Sequence, residues 1–254
     1  MFQKMKLKAL RPLLSFAALT GSMQASTLLF SDNFNTPSYN WQEFNNSLAA
    51  DQSGTLTIPV PVTYSTSNGD GYTAQHSNGG TMLLTSDGWG GYGAMASPNH
   101  NFAVDANTAN KPLQIQFDMW AVAGDAPDWI GFGLNSGQGQ LFYEGAYGFA
   151  TTVGDGKHNY KLVISDSAGT GSGFNGITNG AKIEFFKNNV LQQTITETLS
   201  TTDGYITFRT IPSAWTGWNI GHVDNLAVTL VPEPGAALLG GLGFLTLLRR
   251  RRNA

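Results

Sequence analysis

The chain predicts an all-β body, an antiparallel β-sandwich of jelly-roll type, between an N-terminal signal peptide and a single C-terminal transmembrane helix. Three observations lead there. Apolar and polar residues alternate with a period of two through much of the middle of the chain. Thirty-one glycines, with many Asn, Ser and Thr, punctuate those runs as turns. Apolar runs beside clustered positive charge occur at the two ends.

The alternation is clearest over 111–120. Leu113, Ile115, Phe117 and Met119 fall on one face, and Gln114, Gln116, Asp118 and Trp120 on the other. Residues 160–164 alternate less cleanly. Ile183 and Phe185 alternate with Lys182, Glu184 and Lys187, while Phe186 breaks the polar face. Asn188 and Asn189 suit the left-handed conformations of a tight hairpin turn, which makes 190–197 the return strand. Residues 204–211 and 219–230 read as the last strands, and 28–34, 54–60, 81–85, 128–135 and 140–150 as earlier ones. No amphipathic helix and no internal repeat is expected in the body. Two inner faces then supply the core, and about two hundred residues suffice for one such domain. The chain has no cysteine, which excludes disulfides, thiolate metal sites and cysteine nucleophiles.

Residues 1–25 have the layout of a secretory leader. Lys4, Lys6, Lys8 and Arg11 form a basic start, residues 13–19 a short apolar core, and 21–25 a stretch suited to cleavage after Ala25. At the other end, Val231, Pro232, Glu233 and Pro234 precede an apolar run over 235–248. Arg249, Arg250, Arg251 and Arg252 follow it. As a helix that run measures about 21 Å, short against a bilayer core of about 30 Å. Leu230, Val231 and the snorkelling stems of the arginines extend it. Four terminal cations favour a cytoplasmic C-terminus and leave residues 26–231 outside. The expected organisation is a signal peptide over 1–25, a β-sandwich over 26–230 and a sorting segment over 231–254.

This order of proline-rich tripeptide, short apolar helix and arginine cluster resembles the PEP-CTERM sorting signal of Gram-negative bacteria. Pro232, Glu233 and Pro234 stand at its signature tripeptide. The resemblance implies that exosortase, a membrane-embedded cysteine transpeptidase, cuts near the tripeptide and removes the helix. It also implies transient anchoring in the inner membrane, then delivery to the cell surface or extracellular matrix. A plain C-terminal membrane anchor, or a basic tail of no consequence, is the alternative. The body resembles, through shorter matches, concanavalin-A-like and laminin-G-like jelly rolls. Leu29-Phe30-Ser31-Asp32-Asn33-Phe34 is similar to their opening strand, Val223-Asp224-Asn225-Leu226-Ala227-Val228 to their closing strand, and 182–191 to a hairpin. Asn189 stands where those hairpins carry glycine.

Without leader and tail, residues 26–231 hold six cations against sixteen acids, a balance of −10. That argues against nucleic acid and anionic lipid as partners. It suits neutral sugars and divalent cations, though solubility alone also explains acidic residues.

Candidate sites follow. Asp32 and Asp224 lie near the two ends of the body, and first and last strands often pair. These carboxylates are therefore candidates for a shared structural Ca²⁺, or else turn and edge polar groups, since no acidic calcium-loop pattern is present. Trp89 and Tyr92, and Trp215 and Trp218, sit on glycine-flanked loops. They are candidate ligand-binding aromatics whose flat faces would stack on sugar rings, or else caps on the core. Asp125 and Asp128 flank Pro127 and read as a turn. No catalytic residue is assigned: the strand motif of acidic glucanases is missing, and the four histidines lack metal spacing. The expected protein is a non-catalytic carbohydrate-binding or matrix-scaffolding module, with exosortase and an exopolysaccharide as partners. A glycan-active hydrolase or lyase, and a structural matrix protein without ligand, are the alternatives.

Overall fold

The structure is a computed structural model. It describes residues 26–35, 47–49, 63–67, 73–75, 80–86, 94–122, 129–137, 147–167, 180–199, 201–211 and 219–232. These belong to one compact unit, Ala25–Glu233. Its strands are β1 (Thr27–Asp32), β2 (Ser47–Ala49), β3 (Thr63–Ser67), β4 (Thr73–Gln75), β5 (Met82–Ser86), β6 (Met95–Pro98), β7 (Leu113–Val122), β8 (Trp129–Asn135), β9 (Tyr147–Thr152), β10 (His158–Asp166), β11 (Ala181–Lys187), β12 (Val190–Glu197), β13 (Tyr205–Ile211) and β14 (Asn219–Leu230). One helix, α1 (Phe102–Ala109), joins them.

The strands form two antiparallel sheets. One runs β12-β11-β10-β7-β14-β5-β4, with β1 also paired to β14; the other runs β2-β3-β6-β13-β8-β9. The twelve residues of β14 make it the seam of the larger sheet. It pairs with β7 on one side, with β5 over Asn219–Val223, and with β1 over Leu226–Leu230. First and last strands therefore do pair, with Thr27 opposite Leu230.

The period-two reading of 111–120 holds. Leu113, Ile115, Phe117 and Met119 are buried, while Gln114, Gln116, Asp118 and Trp120 line the outer face. Between the sheets lies an aromatic cluster. Phe117 stacks on Phe132 at 4.9 Å and meets the edge of Phe208 at 5.0 Å, with Phe149, Tyr160 and Phe185 beyond. Asn188 and Asn189 take φ of 52° and 64°, the left-handed pair that a two-residue hairpin requires. Phe186 does point out of the core; a register shift between Phe185 and Phe186 accompanies it, and the Lys161 ammonium covers its ring at 4.3 Å.

Several expectations need correction. The body does contain a helix. Asn101 caps α1 by accepting from the Ala103 N–H at 3.1 Å, and Asn110 closes it in the left-handed conformation. Its buried face is only Phe102, Ala103 and Ala106, too small to give a periodic signal. Its start rests on Gly204, whose carbonyl accepts from the Phe102 N–H at 3.1 Å. A Cβ at Gly204 would collide with the backbone nitrogen of Ala103, so only glycine fits that approach. Strands β2, β3, β4 and β6 were not expected; they are short and rich in Ser, Thr and Ala. The expected strand over 54–60 and the first part of 140–150 lie outside the described residues.

Candidate functional site

Across the outer face of the larger sheet, strand register sets side chains in rows. Asn159 on β10 lies opposite Asp118 on β7, which lies opposite Asp224 on β14. One step along, Trp120 on β7 lies opposite His222 on β14, with Lys157 beside them just ahead of β10. The rows are tied together by charge. The Lys157 ammonium sits 2.8 Å from Asp224 Oδ2 and 3.3 Å from Asp118 Oδ2. Asn159 Nδ2 donates to Asp118 Oδ1 at 2.9 Å, and Asn225 Nδ2 to Asp118 Oδ2 at 3.0 Å. Gln116 Nε2 donates to Asn159 Oδ1 at 3.3 Å.

Asn225 reaches this position because β14 shifts register against β7 between Asp224 and Ala227. Asn225 has φ of 52°, a conformation Asn tolerates better than most residues, and its N–H donates to Asp224 Oδ1 at 2.7 Å. The Asp-Asn pair of the closing strand is thus a bulge that turns Asn225 onto Asp118 while Asp224 pairs with Lys157.

Burial pushes the Asp118 carboxyl up. Hydrogen bonds from Asn159, Asn225 and Lys157, with the Lys157 charge, outweigh it and hold the pKa below the usual value. Burial pulls Lys157 down, but bonds to Asp224 and Asp118 and their charges raise its pKa overall. His222 is lowered by burial and then by the Lys157 charge, so it is neutral at neutral pH. Its ring stacks on Trp120 at 4.8 Å and 6°, and its Nδ1 lies 3.1 Å from Thr81 Oγ1. Lys157 Nζ stands 4.7 Å from the same indole. Trp120 is engaged from the strands on either side, so it braces the sheet instead of offering a bare platform.

The cluster carries a test. Lys157→Met leaves Asp118 and Asp224 opposite each other without their cation. It should destabilise the fold by about 1 kcal/mol at pH 7, since like charges directly opposite repel and the site is partly solvent-screened. Asp118 has a depressed folded pKa, so its contribution is present at neutral pH and fades as pH falls through that value. The gap between wild type and variant should therefore close below about pH 4. Urea titrations at pH 7 and pH 3 measure it; an undiminished gap at pH 3 would contradict the assignment.

The structure does not bring the two candidate calcium ligands together. Asp32 is 1% exposed and turns into the sandwich, where its carboxylate accepts from the Phe34 N–H at 2.8 Å and the Tyr64 hydroxyl at 3.1 Å. Asp224 faces the outer surface and is held by Lys157. The two carboxylates point to opposite sides of the sheet, so they do not fit one Ca²⁺. No group of three or more His, Asp or Glu able to hold a metal occurs among the described residues.

Trp89, Tyr92, Trp215, Trp218, Glu233, Pro234 and Arg249 to Arg252 lie outside the described residues, as do residues 1–25; Pro232 is half-buried at the end of the body. What the structure does give is where the aromatic segments are anchored. Segment 87–93 leaves from Ser86, which pairs with Asn219, where segment 212–218 ends. Segment 87–93 ends at Ala94, whose carbonyl accepts from Thr210 N–H at 2.9 Å, one residue before 212–218 begins beyond Ile211. Segment 123–128, with Asp125 and Asp128, runs from Val122, opposite Ile220, to Trp129, opposite Ile211. The anchors of all three segments are neighbours at one end of the sandwich. The Trp120–His222 row lies two residues in from that end. Thr27 and Leu230 mark the other end of β14, roughly 35 Å away at the usual strand rise. Sequence reasoning placed Gln116, Asp118 and Trp120 on one face but missed Lys157, Asn159 and His222, which join them only through strand order.

No protein-family model matches the chain, and no curated protein is significantly similar to it. Solved structures resemble it only distantly. A structure titled for the dependence of botulinum neurotoxin type C cell entry on two ganglioside molecules is 12% identical, with a TM-score of 0.41, over 85% of this chain and 50% of that one. A mutant of the Emp46p carbohydrate recognition domain is 8% identical, with a TM-score of 0.41, over 65% of this chain and 87% of that one. A sialidase is 12% identical, with a TM-score of 0.42, over 65% of this chain and 16% of its own. The chain thus spans half or less of the neurotoxin and sialidase structures. Likeness at this level speaks for neither a ligand nor a reaction.

No helix among the described residues is long and apolar enough to cross a membrane. The apolar run over 235–248 lies outside them.

Proposed function

We propose that the protein is an exported surface or matrix module, sorted by its PEP-CTERM-like tail and non-catalytic, that recognises carbohydrate at the loop end of its sandwich. The observation that carries this reading is the shared anchoring of segments 87–93, 123–128 and 212–218 at one end. The described residues that flank the segments bearing Trp89, Tyr92, Trp215 and Trp218, and the carboxylates Asp87, Asp125 and Asp128, lie together at the pole of the sandwich away from residue 231. Aromatic faces stack on the CH faces of sugars, while carboxylates and amides bond hydroxyls. A module released near residue 233 would leave that pole free to meet a polysaccharide.

Two experiments test the reading. Deleting Arg249 to Arg252 should abolish processing and surface delivery; unchanged delivery would refute the sorting role. On the host exopolysaccharide, Trp89→Ala and Trp215→Ala should each weaken binding about tenfold. EDTA should leave binding unchanged, because Asp32 and Asp224 are committed to other partners. Release of new reducing ends from the polysaccharide would instead favour a hydrolase.

A further inference from the structure

We propose that β12 is a self-pairing edge, through which two copies of this chain join their larger sheets antiparallel about a two-fold axis. β12 is outermost in its sheet, and among the described residues it pairs only with β11. Outermost strands expose unpaired N–H and C=O groups, and proteins usually blunt them by short length, lysine or proline. The other strands with a single partner among the described residues are shorter: β2 and β4 have three residues each, and β1 and β9 six. β12 has eight, VLQQTITE, with no lysine, no proline and one charge, at its far end. Val190 is 61% and Leu191 50% exposed. The composition favours strand pairing, and nothing in it repels a second strand.

Charge selects a second copy as the occupant. The body as a whole carries −10, so two copies repel over most of their surface. Four of its six cations, Lys157, Lys161, Lys182 and Lys187, stand on or beside β10 and β11, next to this edge. On the three edge strands themselves, β10 to β12, Lys161, Lys182 and Lys187 stand against Asp166, Glu184 and Glu197, an even balance, with Lys182 and Glu184 paired at 3.0 Å. Two acidic bodies thus approach most easily at this locally neutral corner. In an antiparallel ladder, opposed residues share a face, so a two-fold axis passes through a residue pair and not between two pairs. Gln193 and Thr194 are the two central residues, and the proposed register sets Thr194 on that axis opposite its own copy. A Thr–Thr pair there is favourable, and Ile195 falls opposite the partner's Gln193. One strand per copy makes a small interface, so pairing belongs to high local concentration such as a crowded cell surface.

The chain has no cysteine, which makes the test clean. Thr194→Cys places a single thiol on the axis; on air oxidation the full chain should become a disulfide-linked dimer. Val104→Cys, half-exposed on α1, should stay monomeric under the same conditions. By sedimentation, wild type should show a reversible monomer–dimer equilibrium, and Thr194→Lys should weaken it about tenfold or more. A wild type monomeric up to about 0.1 mM overturns the proposal. So does equal cross-linking of the two cysteine variants, or a dimer indifferent to Thr194→Lys.

Discussion

Phe117→Ala should lower the stability of the sandwich by about 3–5 kcal/mol, a large part of the roughly 5–15 kcal/mol typical of a domain. Phe117 is fully buried at the centre of β7, the strand that joins β10 to β14. Its ring contacts Phe132 and Phe208 from the facing sheet and Tyr160 from its own, at 4.9, 5.0 and 5.9 Å. Removing it deletes the apolar transfer term and leaves a cavity whose walls are large, rigid rings that cannot collapse inward cheaply. Phe117→Leu should cost markedly less, because it refills most of the space. Urea unfolding at constant m-value measures both. A loss under about 1 kcal/mol for Phe117→Ala would mean that the aromatic cluster is not the core of the fold.

Asp32→Ala should cost about 3 kcal/mol, and for a different reason. Asp32 ends β1 and reaches across the interior to the Tyr64 hydroxyl on β3, joining the two sheets. Burial raises the Tyr64 pKa well above its ordinary value, and the Asp32 charge and hydrogen bond raise it further. The phenol therefore stays protonated and must donate. Truncating Asp32 removes that charged acceptor and the acceptor of the Phe34 N–H, both in a site with little access to water. Tyr64→Phe should cost less than Asp32→Ala, and the double variant should cost less than the sum of the two. Adding Ca²⁺ should change the stability of none of these proteins. Stabilisation of wild type by Ca²⁺ that disappears in Asp32→Ala would restore the metal reading and sink this one.

The sequence made the long strands legible and the short ones illegible, and the physical reason is plain. In β7 the inner face is Leu, Ile, Phe and Met against Gln, Asp and Trp, a contrast that period two exposes at once. In β6 all four residues, Met95 to Pro98, are buried, so no alternation survives to be read. The Asn188-Asn189 turn was legible because its chemistry is local. The outer-face cluster was half legible: alternation gives which residues of β7 share a face, but not which strands flank them. Lys157 meets Asp118 and Asp224 only because β7 lies between β10 and β14, and that order spans the whole chain. The side of the sheet that Asp32 faces is illegible for a related reason. Pairing of the first and last strands is foreseeable from their place in the chain, but adjacency in a sheet does not fix which side a carboxylate faces.

The pairing of β1 with β14 also governs when the protein can fold. A polypeptide that emerges from its N-terminus delivers its earliest strand long before the latest one. The larger sheet cannot be completed in step with synthesis; its first member must wait, loosely held, until nearly the whole body has emerged. High contact order of this kind slows folding and delays its completion until the last strand is available, and until then an unfinished sheet needs protection from its neighbours.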